Sequence, residues 1–207
     1  VGRDLALNVA GAWWGEHDGP AVAPERSSLL GAIEALRRGH DDESDWRVDR
    51  VGEHKVGEEL QQLGSEWHVL HAVPLGWHDG ARIDHLVMGP AGVFSLHTRR
   101  RPGSDVRVTD RTIRVGARRT GHLHTTRRHG MRASGVLTAA CGFDVSVRPV
   151  IVFVDLRSFE VRLQPVDVHV TTRKRLLPWL EQLPVTMDMR QIDAVYAAAR
   201  LSSTWVA

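Results

Sequence analysis

Asp84, His97 and Arg99 are a carboxylate, a metal-binding imidazole and a permanent cation, and their spacing predicts that they meet. They flank Gly89-Pro90-Ala91-Gly92, a turn sequence with apolar, strand-forming residues on both sides (Leu86, Val87, Met88; Val93, Phe94, Leu96). If Gly89 and Gly92 border the turn, the register sets Asp84 across from His97, with Arg99 two residues further along the second strand. Side chains alternate along a strand, so His97 and Arg99 share a face and cross-strand pairing brings Asp84 onto it. A carboxylate within a central strand is costly unless it is paired or holds a metal. Such a patch is where phosphodiester cleavage would be housed. His97 has two readings: a ligand to Mn²⁺ or Zn²⁺, or a remnant beside an Asp84–Arg99 ion pair that neutralises a vacated metal position. His85 faces the other way and packs or caps.

The surrounding elements follow from periodicity. Val56, Leu60 and Leu63 at i, i+4 and i+7 predict a helix from Val51 to Leu63, stopped by Gly64. Residues 67–73 alternate as a strand, and the Gly-Pro hairpin follows. Val106, Val108, Ile113 and Val115 predict a second hairpin, with Arg107 and Arg114 opposite and Asp110-Arg111 at the turn. A helix over 125–141 would turn Met131, Leu137 and Ala140 inward. Residues 147–154 read as a buried strand, with shorter strands near 159–163 and 167–171. Thr171 or Thr172 would cap a helix to Leu183, bent or delayed by Pro178. The last helix, 188–200, starts near Asp188 and buries Ile192, Val195, Tyr196 and Ala199. This order predicts an α/β fold with a central mixed sheet flanked by helices. Residues 1–45 read as an N-terminal arm with a short helix from Ser27 or Ser28 to about Arg38 and an acidic linker at 41–45; residues 46–207 form the main domain.

At 207 residues with 42% hydrophobic content, the chain can bury a core. Its single Cys141, in an apolar run, is expected to be a small buried residue in a reducing compartment. No segment reads as a signal peptide or a bilayer span, so a cytoplasmic protein without membrane contact is expected. Charge is uneven. Residues 97–132 carry eleven arginines against Asp105 and Asp110, a net +9, so the rest of a chain totalling +2 carries −7. Arg100, Arg101, Arg107, Arg114, Arg118, Arg119, Arg127 and Arg128 are the candidates for contact with a nucleic-acid backbone, DNA first. The bland alternative is a solvated face in an arginine-rich chain: only Lys55 and Lys174 are lysine. Lys55 lies two residues from Glu53, so the two point different ways on a helix. His122, His124 and His129, and separately His68, His71 and His78, match no compact zinc spacing. No nucleophile elbow, phosphate loop or dinucleotide fingerprint is present.

The block Ile83-Asp84-His85 through Gly89-Pro90-Ala91-Gly92-Val93-Phe94 resembles the signature of the nuclease-related domain (NERD) family. Outward from it, Trp46-Arg47-Val48, Gly52-Glu53, Val56-Gly57, Trp67 to His71, Val150 to Val154 and Ser202 to Trp205 stand in the family's order, the last as in actinobacterial members. The resemblance covers roughly residues 46–205. It implies a restriction-endonuclease-like core of the PD-(D/E)xK type, in which acids hold Mg²⁺ or Mn²⁺ and a lysine assists the attacking water. Position by position, the resemblance makes Glu53 the helix acid and Asp84 the strand acid. His97 stands where the family has a second metal-binding acid or amide, and Arg99 where it has lysine. Imidazole is a poor Mg²⁺ ligand, and arginine cannot serve as a base. Three functions follow as expectations: a metal-dependent nuclease with a degenerate site (Glu53, Asp84 and His97 holding the ion, Arg99 on the phosphate), a catalytically inactive nucleic-acid-binding domain, or a protein-interaction module. The oligomeric state is not legible in the sequence.

Overall fold

The computed structural model describes residues 3–11, 48–76 and 81–205. The helix expected after Ser27 or Ser28, the acidic run at 41–45 and His78 lie outside those residues. The described strands, in chain order, are β1 (His68–Pro74), β2 (Arg82–Gly89), β3 (Gly92–Arg100), β4 (Asp105–Val108), β5 (Ile113–Val115), β6 (Arg118–Thr120), β7 (Val147–Val154), β8 (Ser158–Val161) and β9 (His169–Thr172). The helices are α1 (48–60), α2 (His122–Cys141), α3 (Arg173–Gln182), α4 (Met189–Ala199) and α5 (Ser202–Trp205).

A five-stranded sheet ordered β1-β2-β3-β7-β9 carries the fold. β1, β2 and β3 run antiparallel, while β3–β7 and β7–β9 are parallel, so the sheet is mixed. All eight residues of β2 are buried, which its dense apolar run requires of a strand covered on both faces. On one face α1 and α3 set Val56, Leu60, Leu176 and Leu180 against Val87, Phe94, Leu96, Val150 and Val152. On the other, α2, α4 and α5 bring Ala133, Leu137, Val195, Ala199 and Trp205 onto Leu70, Leu86, Met88 and Val93. Each such side chain contributes about 1.5–3 kcal/mol over remaining exposed. A second sheet, β6-β5-β4-β8, packs Val106, Val108 and Ile113 against Ile151, Phe153, Val168 and Val170. The architecture is therefore the expected α/β fold, a central mixed sheet flanked by helices.

The Gly-Pro hairpin has the expected register. Gly89 pairs with Gly92, whose φ of 121° suits glycine, and the Trp67 ring lies where a Gly89 Cβ would be. The second hairpin also forms, and β6 extends it into a three-stranded meander that the sequence reading did not include. α2 differs most. It begins at His122, and its buried face is Leu123, Thr126, His129, Gly130, Ala133 and Leu137, whereas Met131 is 69% exposed and Ala140 is also exposed. Met131 is two residues from Ala133, about 200° around the helix, so small residues take the core face that the methionine was expected to occupy. Cys141, expected buried, is only half-buried at the end of this helix.

Thr172 occupies the N-cap position of α3 without a side-chain cap bond, and Pro178 lies inside that helix. Asp188 forms a reciprocal capping box with Gln191 at the start of α4. Residues 4–7 dock onto the core. A short 3₁₀ turn, Leu5–Leu7, buries Leu5 in the core, Asp4 bridges to Leu201, and its carboxylate pairs with Arg200. No helix among the described residues is long and apolar enough to cross a membrane.

Candidate functional site

The ladder between β2 and β3 ends at His85–Leu96, and one further step sets Asp84 opposite His97. There β3 continues beside β7 as far as Arg100–Val154, leaving its other edge to be completed by side chains. Asp84 Oδ2 accepts the Thr98 N–H at 2.7 Å, and Asp49 Oδ1 accepts the Arg100 N–H at 2.8 Å. Donors two residues apart on a strand point the same way, so two carboxylates finish the edge that β2 no longer covers.

α1 supplies the other acid. Gly52 lets the helix lie close on β3, since a Cβ there would stand 2.9 Å from Arg100 Cβ and 3.0 Å from Thr98 Cγ2. That approach delivers Glu53, only 1% exposed, to the guanidinium of Arg82. Arg82 grips both Glu53 oxygens, one through Nη1 at 3.1 Å and the other through Nη2, and its Nη1 lies 3.4 Å from Asp84 Oδ1. On the far side of Asp84, Arg99 Nη1 is 3.9 Å from Oδ2 and 3.7 Å from Asp49, which also receives Arg101 Nη1 at 2.9 Å. Three carboxylates and three guanidiniums thus form one chain of charge, from Glu53 through Arg82, Asp84, Arg99 and Asp49 to Arg101.

The electrostatics follow the geometry. Burial opposes ionisation of Asp84, but Arg82, His97 and Arg99 outweigh it and leave its carboxyl below the usual range. Asp49 goes the other way. Burial raises its pKa more than Arg99 and Arg101 lower it. Both acids accept a backbone N–H and face arginines; Asp84 has Arg82 beside it as well as Arg99, whereas the charge of Asp84 itself adds to the rise at Asp49. Burial pulls His97 down to about 3 against the opposing pull of Asp84, so its imidazole is neutral. The ring is 2% exposed, stands 4.9 Å from the ring of His129 on α2, and its Nε2 has no hydrogen-bond partner among the described residues.

Of the four residues predicted for the chemistry, Asp84 and Arg99 are in ionic contact, Glu53 joins them through Arg82, and His97 is their buried neighbour. Lys55 is turned elsewhere, to Asp155 at 2.7 Å. His85 is tied to His71, with the two Nδ1 atoms 2.8 Å apart; one must donate and the other accept, and burial lowers both, to about 3 and about 4. A cleft of about 430 Å³ lies beside this pair, between α1 and residues 6–10, and none of the four predicted residues lines it.

The expected nucleic-acid contacts separate into two groups. Arg100 and Arg101 serve inside, on Asp155 and Asp49, and Arg127 is paired with Asp167 at 2.5 Å. Arg107, Arg114 and Arg119 are exposed and stand in register across β4, β5 and β6. Arg118 and Arg128 are exposed as well.

The donor set does not fit a divalent ion as it is folded. Both Glu53 oxygens are engaged by Arg82, Asp84 Oδ2 is engaged by a backbone amide, and a guanidinium stands between the two acids. No group of three His, Cys, Asp or Glu side chains among the described residues could hold a metal.

A mixed sheet flanked by helices, whose second and third strands part around an aspartate with a helix glutamate brought alongside, is an α/β domain consistent with a nuclease-like core. The family model for the nuclease-related domain matches residues 49–154, just over half of the chain, and the protein belongs to that family. No curated protein and no solved structure shows a match.

Two residues central to this site were absent from the sequence reading, Arg82 and Asp49. Both had a signal. Arg82 precedes Asp84 by two in the same strand, and Asp49 precedes Glu53 by four on the same helix, the spacings that share a face in each element.

Proposed function

We propose that this domain binds nucleic acid, DNA in the first instance, along the outer face of the β4–β5–β6 meander, and that it does so without cleaving it. The observation that carries the reading is the row Arg107–Arg114–Arg119. Like charges directly across a sheet destabilise it, so three in register favour a surface whose counter-charge comes from a ligand. Among the described residues, Glu160 at 3.3 Å and the nearby Asp105 offset Arg107 at one end of the row. With strands about 4.8 Å apart, the row spans about 10 Å, over which duplex DNA presents about six phosphate charges. Arg118 pairs with Val115, so it belongs to the other face of β6 and stands outside this row. A cytoplasmic location belongs to the same proposal.

The test is fluorescence anisotropy with labelled duplex DNA, single-stranded DNA and RNA across a salt series. The triple change Arg107→Glu, Arg114→Glu, Arg119→Glu should weaken duplex binding at least 100-fold at low salt and reduce the log–log salt slope by about 3. Undiminished affinity in the folded triple variant would refute the proposal.

A second reading, a metal-dependent nuclease, draws on the approach of Glu53 and Asp84 through Arg82. It requires plasmid cleavage in Mg²⁺ or Mn²⁺ that Asp84→Ala abolishes. Intact plasmid with either metal is the outcome expected here.

A further inference from the structure

We infer that Arg82 is a built-in cation, occupying the place between Glu53 and Asp84 that a divalent ion would take, and that its removal opens a divalent-cation site on those two carboxylates. The inference is independent of whether the arginine row binds nucleic acid.

The geometry is specific. Arg82 spans the helix acid and the strand acid, with both oxygens of Glu53 in its fork and Asp84 Oδ1 at 3.4 Å. Glu53, Asp84 and Arg82 are 1%, 4% and 9% exposed, so solvent does little to screen them. Charge opposes entry as well: among the described residues Asp49, Glu53 and Asp84 face Arg82, Arg99 and Arg101, so a divalent ion entering this set would meet a guanidinium already in place.

Taking Arg82 away changes both facts at once. The set loses one positive charge, Glu53 loses the fork that holds its two oxygens, and Asp84 Oδ1 loses the guanidinium at 3.4 Å. Burial makes two such carboxylates costly, and a hard cation would relieve them. Mg²⁺ and Mn²⁺ suit the vacancy, because such ions are held by one or two carboxylates while water completes the octahedron. His97 need not take part. Its imidazole faces His129, and the two carboxylates suffice.

The experiment compares the full chain with Arg82→Ala, Arg82→Gln and the double variant Arg82→Ala/Glu53→Gln. Mn²⁺ binding is read by electron paramagnetic resonance, and stability by thermal unfolding in EDTA and in millimolar Mn²⁺. The unaltered protein should bind no Mn²⁺ at this position and keep the same Tm in both buffers. The single variants should have lower Tm in EDTA, bind one Mn²⁺, and regain about 5 °C or more when the ion is added. Glu53→Gln in the Arg82→Ala background should abolish both effects. Binding of one Mn²⁺ by the unaltered protein, lost on Asp84→Asn, would overturn the inference, because Arg82 would then move aside rather than occupy the place. A folded Arg82→Ala or Arg82→Gln protein that binds no Mn²⁺ would overturn it too. So would failure of both single variants to fold even with Mn²⁺, since the ion would then be unable to replace the guanidinium.

Discussion

Glu53 and Arg82 form an ion pair whose value lies in not being broken. Replacing a buried pair by apolar residues can be neutral, but removing one partner strands the other's charge, at a cost of about 3–5 kcal/mol. Glu53→Ala should therefore lower unfolding free energy by that amount in urea denaturation, far above the effect of removing an exposed glutamate such as Glu58. Acid should act on the site in two separate windows. His85 and His97 are neutral when folded, with pKa values near 3, whereas an unfolded histidine protonates near 6.5. The unfolded state binds more protons between those values, so stability falls as pH drops from 6.5 towards 3, by about 1.4 kcal/mol per pH unit per histidine. His97→Gln should flatten that slope. Asp84 acts lower down: its folded pKa lies below 3.8, so its contribution is complete above that value and is lost as pH falls through the folded pKa. Asp84→Asn should remove this loss at the acid end and carry the histidine window to lower pH, because Asp84 opposes the fall in the His85 and His97 pKa values. Unfolding curves of the three proteins between pH 3 and 8 separate these effects.

At the scale of elements, two glycines decide how closely helices reach the sheet. Gly52 lets α1 lie against Thr98 and Arg100, which is why the adjacent Glu53 can reach Arg82. Gly130 does the same for α2, where the ring of Pro149 on β7 fills the space a Cβ would need. Helix propensity alone favours alanine there by about 1 kcal/mol. The collision with a rigid proline ring should outweigh it, so Gly130→Ala is expected to destabilise by about 1–2 kcal/mol in chemical denaturation. A stabilised variant would show that α2 can shift off β7. The β2–β3 hairpin was legible from sequence because turn chemistry and alternation are local properties. α2 was less so: its buried face is made largely of Thr126, His129, Gly130 and Ala133, a pattern without a strong hydrophobic signal. Strand β6 was missed because Arg118-Arg119-Thr120 has no apolar alternation and is held as an edge by pairing with β5.

At the scale of the whole molecule, the charge asymmetry visible in the sequence has two uses. Arg100, Arg101 and Arg127 are spent on internal or local carboxylates, while Arg107, Arg114 and Arg119 remain on an outer face. Substitution should respect that division. Arg114→Ala and Arg119→Ala should each weaken DNA binding with stability changed by less than about 0.5 kcal/mol. Arg101→Ala should instead destabilise the fold, because Asp49 would lose the cation at 2.9 Å. Parallel anisotropy and urea measurements on these variants would show whether the basic surface divides in this way.

The sequence by itself determined the order of strands and turns apart from β6, the family, and the convergence of Asp84, His97 and Arg99, because periodicity, turn residues and cross-strand register act over a few residues. Only the tertiary structure decided which cation each buried acid holds. Arg99 was expected on Asp84, yet Arg82 comes closer and also binds Glu53, 29 residues earlier in the chain. Partner choice among many arginines depends on where α1 comes to rest on β3, and Gly52 sets that through the packing of helix on sheet.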